Sequence, residues 1–270
     1  EAIVFSWIEW PDMQPGCSHH PDKKEEMIAM SYFTGAVAAV PAANKQKYAD
    51  HIAAAWPLFK SYGATRMVET WGVDVPKGKV TDFYGAVDAK EDEAIVFSWI
   101  EWPDKAAADA SWEKMQNDPA MKKIPEMPFD GSRMIFGGFS PVYEAGRHSD
   151  AGYYQGFLLA VPETNKKAYA EMADEGWKMF EKFGALGMIE NWGTDVPRGQ
   201  KTDFYRASKV EDTEVPVFSW VAWPDRATCD AAAKEMEAGM ADMDMSAMPF
   251  DGMRMMWAGF DPLFDSEKAT

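Results

Sequence analysis

Residues 32–41, YFTGAVAAVP, are apolar almost throughout. They lack the alternation of a half-exposed strand, which predicts a strand covered on both faces. Over 44–63 the period changes. Tyr48, Ile52, Trp56, Phe59 and Tyr62 recur every three or four residues, so a helix with one buried stripe is expected, ended by Gly63. ATRMVETWG (64–72) reads as a second strand, DVPKG as a turn, KVTDFYGAV (79–87) as extended chain, and KEDE as another turn. AIVFSWIEW (94–102) is a third strand. Ile95, Phe97 and Trp99 fall on one face, and Val96 and Ile100 on the other. Asp104 is placed to cap a helix through KAAADASWEKM. PFDG makes a turn, and RMIFGGF (133–139) is the last strand.

The whole pattern then returns. VPAANKQKYA (40–49) matches VPETNKKAYA (161–170), and MVETWGVDVPKGKVTDFY (67–84) matches MIENWGTDVPRGQKTDFY (188–205). VFSWIEWPD (96–104) matches VFSWVAWPD (217–225), and MPFDGSRM (127–134) matches MPFDGMRM (248–255), always 121 residues apart. A repeat without an insertion means a duplicated domain. We expect repeat 1 over 30–141, a polar linker over 142–151 and repeat 2 over 152–270. Each repeat is β-α-β-β-α-β, the ferredoxin-like split unit of the α+β class. The third strand is apolar on both faces. Helices can cover only one, so the sheet of the other repeat is expected to cover the second. That makes the chain an intramolecular pseudo-dimer.

Residues 1–29 stand apart. EAIVFSWIEWPD (1–12) duplicates 93–104 letter for letter, and MQPGCSHHPDKKEE (13–26) matches neither repeat. We read this leader as extraneous, with Met30 as the authentic start. The competing reading is a spare strand that pairs with a sheet edge.

Charge narrows the partners. The formal net charge is −17. Nucleic-acid binding relies on Lys and Arg neutralising phosphates, so no nucleic acid is expected, and no anionic membrane surface. No apolar run approaches the length of a membrane-spanning helix. Two cysteines, Cys17 and Cys229, argue against a disulfide framework and for a reducing cytoplasm.

WGVDVPKGKVTDF, VFSWIEWPD and MPFDGSRMIFGGF resemble the bacterial family called domain of unknown function 1428. The resemblance covers 30–141 and again 152–262. It implies a ferredoxin-like fold of the dimeric α/β-barrel group, in which two sheets pair into a barrel. Members of the family are usually single-copy, and this chain fuses two. The family has no established reaction, so no catalytic residue carries over from it.

Candidate chemistry therefore comes from the residues. Glu69 lies between Met67 and Trp71 on one strand face, and Glu190 lies likewise between Met188 and Trp192. A carboxyl among apolar neighbours has a raised pKa and suits acid–base work, unless a cation holds it ionised. Arg133 and Arg254 are the expected cations, and this ion pair is the favoured expectation. Trp71, Trp99 and Trp102, with Trp192, Trp220 and Trp223, could line a pocket for an aromatic or apolar ligand, or simply pack a core. Asp74, Asp82, Asp195 and Asp203 are expected to organise turns rather than bind a metal. The methionines between 236 and 256 are expected to pack rather than bind copper. No cofactor is expected. Two functional readings remain: a protein that binds or transforms a small molecule between sheet and helices, or a non-catalytic interaction module. Further homo-oligomerisation is compatible with either.

Overall fold

A computed structural model describes residues 31–240 and 248–269. The leader, CSHHPD included, lies outside the described residues, as does the middle of the methionine run. Repeat 1 contains β1 (Tyr32–Pro41), α1 (Lys45–Tyr62), β2 (Arg66–Asp74), α2 (Phe83–Ala86), β3 (Glu93–Trp102), α3 (Lys105–Asn117) and β4 (Ile135–Gly146). Repeat 2 contains β5 (Tyr153–Pro162), α4 (Lys166–Lys182), β6 (Gly187–Asp195), α5 (Phe204–Ala207), β7 (Glu214–Trp223), α6 (Arg226–Met240) and β8 (Met256–Asp265). Gly63 ends α1 with φ at 112°, a left-handed value that a residue with a Cβ resists.

The eight strands close into one barrel in the order β1-β3-β2-β8-β5-β7-β6-β4. Each repeat supplies four adjacent strands. The seams are β2 with β8 and β4 with β6, so the last strand of each repeat pairs with the second strand of the other. Closure leaves no sheet edge. β4 runs on to Gly146, and Tyr143 to Gly146 pair with β6. Half of the segment whose composition suggested a linker is therefore strand, and it stitches the repeats together.

The barrel interior explains the doubly apolar third strand. Ile95, Phe97 and Trp99 point into it, while Val96 and Ile100 pack in the outer layer with Tyr48 and Ile52 of α1. Phe97 stacks on Phe218 at 4.2 Å, and Trp99 on Trp220 at 4.1 Å. Each pair joins equivalent residues, so the stacks mark the pseudo-twofold axis. Gly35 and Gly156 permit this approach: a Cβ at Gly35 would meet the Phe218 ring at 2.9 Å, and one at Gly156 the Phe97 ring at 3.1 Å.

Two expectations change. Residues 79–87 are not extended throughout, because Phe83–Ala86 form a single helical turn. Asp82 nucleates that turn by accepting the Gly85 N–H at 2.7 Å. The turn aims Phe83 into the barrel, as Asp203 does for Phe204 in repeat 2. Asp74 and Asp195 do more than order a turn. Tyr153 donates to Asp74 at 2.9 Å and Tyr32 donates to Asp195 at 2.7 Å, one bond in each direction between the repeats. Among the described residues, no helix is long and apolar enough to cross a membrane.

Candidate functional site

The outer face of repeat 1 carries α1 and α3. Alternation along the strands sends Ala36, Ser98 and Glu69 to that face. The register places them side by side: Ala36 is opposite Ser98, and Ser98 is opposite Glu69. This row is the floor of a cavity of about 220 Å³. Its walls are apolar and soft, with Trp102 and Trp112, Phe59 and Phe129, and the methionines Met67 and Met115 among them. Among the described residues, no Lys or Arg lines it.

Glu69 is buried at 6% exposure. The expected ion pair with Arg133 does not form. The Arg133 guanidinium grips Glu93 instead, at 2.6 and 2.7 Å, and also reaches Asp130 and the Asp88 carbonyl. Arg254 does the same with Glu214, Asp251 and the Lys209 carbonyl. These pairs tie the start of β3 or β7 to the turn before the last strand, away from the cavity. The expected pair is ruled out by strand direction. Arg133 lies in the turn before β4, at the end of the sheet where β3 begins, and that end belongs to Glu93.

Glu69 has hydroxyl partners instead. The Tyr48 hydroxyl donates to its Oε2 at 2.6 Å. Burial pushes the Glu69 carboxyl up to about 7, against the opposing pull of Tyr48 and Ser98, which favour the carboxylate. The same pull raises the Tyr48 phenol, together with its own burial. Repeat 2 keeps the trio as Tyr169, Glu190 and Ser219: Tyr169 donates to Glu190, and burial raises Glu190 to about 7. His51, on the cavity wall, sends Nδ1 to the Pro125 carbonyl at 2.7 Å, so that nitrogen carries the proton. Burial lowers its pKa, so the ring is neutral.

The tryptophan candidates split. Trp99 and Trp220 spend their rings on the barrel stack. Trp71 and Trp192 pack in the outer clusters, with Lys45 and Lys166 lying over their faces. Trp99 nevertheless borders the cavity, as do Trp112 and Trp102, and the Trp102 Nε1 donates to Thr34 at 3.0 Å. Sequence reasoning missed Tyr48 because its helical spacing reads as core stripe, and the spacing says nothing of its hydroxyl. Ser98 did leave a signal. It is the one polar residue among the apolar positions 94–100, and Ser219 repeats it.

The model of a family described as "Protein of unknown function (DUF1428)" matches residues 31–131 and 152–252. The chain belongs to this family. The protein YbaA of Escherichia coli K12, named as uncharacterized, is 55% identical over 116 residues, which is 43% of this chain and 99% of that protein. The Shigella flexneri YbaA matches equally. Each relative is thus one repeat long, and this DUF1428 chain is two. Among solved structures, a protein named "putative monooxygenase" from Fusobacterium nucleatum superposes with a TM-score of 0.53 at 12% identity, over 90% of this chain and 96% of its own. An anthrone oxidase-like protein gives 0.52 at 8% identity, over 88% and 92%. At such identities the likeness carries the fold alone, an eight-stranded α/β-barrel made of two ferredoxin-like halves.

Proposed function

We propose that repeat 1 binds a small neutral molecule, aromatic or otherwise apolar, in the cavity over Ala36, Ser98 and Glu69. Its one hydrogen-bonding group meets Glu69, which holds or exchanges a proton with it. The observation that carries this reading is a buried carboxyl, with no cation partner among the described residues, on the floor of an apolar cavity. A carboxyl near 7 is poised between acid and base at neutral pH. The described lining favours a neutral ligand over an anion, since it offers no Lys or Arg and Glu69 itself becomes negative as pH rises. Tyr48 and Ser98 orient the carboxyl, and the methionine and tryptophan walls accommodate the apolar body. Arg133 and Arg254 take no part. Complete pairing of Glu69 with Arg133 and the lack of a cavity would favour the alternative, a non-catalytic module whose acidic surface meets a basic partner; Arg133 pairs with Glu93 instead.

Calorimetric titration of the full chain with indole and with benzoate, ring compounds of similar bulk, tests the reading. Indole should bind, benzoate should not, and Ala36→Phe should weaken indole at least tenfold by filling the floor. Undiminished indole binding by Ala36→Phe, or benzoate competing for the same site, would overturn it.

A further inference from the structure

The two repeats share the Tyr–Glu–Ser trio but not the floor in front of it. Where repeat 1 has Ala36 beside Ser98, repeat 2 has Phe157 beside Ser219, which in turn faces Glu190. β5 sends Phe157 to the helix side, and its ring packs against both outer clusters of that half, the one holding Tyr169 and the one holding Trp223. Three positions that wall the repeat 1 cavity carry smaller residues in repeat 2, and one of them, Ala173, shares an outer cluster with Phe157. Ile52, Ala55 and Trp112 of repeat 1 correspond to Ala173, Gly176 and Ala233. Large-for-small exchange at one position, with small-for-large at its neighbours, is how a filled core conserves volume.

A second observation points to a site behind the ring. Trp223 is fully buried, yet its Nε1 has no acceptor among the described residues. Its counterpart Trp102 lines the open cavity and donates to Thr34. In repeat 2 the Thr34 position is Gln155, whose Oε1 lies 4.0 Å from the Cys229 sulfur. A buried indole N–H without a partner calls for an acceptor, and a ligand in front of it would supply one.

We propose that repeat 2 holds a latent second site for the same class of neutral aromatic ligand, and that the Phe157 ring plugs it. The full chain therefore binds one ligand, not two, and position 36/157 determines which half is open. This rests on the reading of the repeat 1 cavity given above. The latent site keeps a proton-exchanging carboxyl, Glu190, and gains a free donor, Trp223 Nε1.

Indole stoichiometry on the full chain is the test, with folding of every variant checked by circular dichroism. The parent should bind one equivalent. Phe157→Ala should bind two, and Ala36→Phe should lose its equivalent. The double variant should bind one, now sensitive to Glu190→Gln and not to Glu69→Gln. If Phe157→Ala does not fold, Phe157→Val gives the same readout while placing a strand-favouring β-branched residue there. Two equivalents in the parent, or one in Phe157→Ala while Ala36→Phe abolishes binding, would overturn the latent site and leave the repeat 1 reading intact. Binding untouched by Ala36→Phe would overturn both.

Discussion

The two halves agree where they face each other and differ where they face outward. Inside the barrel each repeat supplies the same rings at the same depth: Phe97 against Phe218, Trp99 against Trp220, and Phe83 and Phe204 at the ends of matching helical turns. Outside, Ala36 and Phe157 occupy equivalent floor positions, and one half has a cavity where the other has a ring. The difference follows from coupling. A residue in the shared interior packs against its own counterpart, so a change in one repeat disturbs both. An outer face packs mainly against its own helices and meets the other repeat only along the seam strands, as Phe264 does beside α1 and Tyr143 beside α4, so positions away from the seams can drift with less damage to the other half.

Breaking the axis stack should have the largest effect, and an equal one in both halves. Phe97→Ala and Phe218→Ala each remove one member of the same ring pair from a fully buried position. Each should cost about 3–5 kcal/mol in denaturant unfolding. A gap of more than about 1 kcal/mol between them would show that the interior is less symmetric than the stack suggests.

The arginine clamps come next, and here the halves should separate. Arg133→Met strands Glu93, a carboxylate that Arg133 holds below its ordinary pKa. Arg254→Met does the same to Glu214. The Arg133 side chain is 5% exposed and that of Arg254 is 12%. Loss of one partner from a buried pair costs about 3–5 kcal/mol, so Arg133→Met should lie in that range and Arg254→Met below it. Chemical unfolding of the two variants side by side decides this, and the reverse order would contradict the burial argument.

A smaller effect tests what the halves still share. Glu69 and Glu190 each sit near 7 when folded, against 4.5 as their ordinary value. The folded chain therefore keeps two protons that the unfolded chain releases. The pH-dependent cost is absent well below pH 4.5, grows as pH rises from 4.5 to 7, and levels off above 7. Glutamine does not titrate. Relative to the parent, Glu69→Gln and Glu190→Gln should each gain stability between pH 5 and pH 8, by up to about 3 kcal/mol. Thermal melts at the two pH values measure it. A gap between variant and parent that is the same at both would mean that the carboxyls titrate normally.

Much of this architecture was legible. Two apolar faces on AIVFSWIEW required two covers, and the unbroken 121-residue offset supplied the second. Three things were less so. The helical turn at Phe83–Ala86 is four residues long, too short for any period, and only its Asp82 cap could have announced it. The partner of Arg133 depends on which end of β3 the last turn reaches, a fact of topology rather than spacing. The contrast between Ala36 and Phe157 was visible in the letters, but its meaning needed the cross-strand row that sets both beside a serine and a glutamate.

The central claim is an open cavity in one half and a plugged one in the other. Diffraction from crystals of the full chain soaked in 5-bromoindole, with bromine located by its anomalous signal, tests it most directly. One bromine per chain, above Ala36 and within contact of Glu69, with none above Ser219, is the predicted result. Bromine in both halves, or none over Ala36, would contradict it.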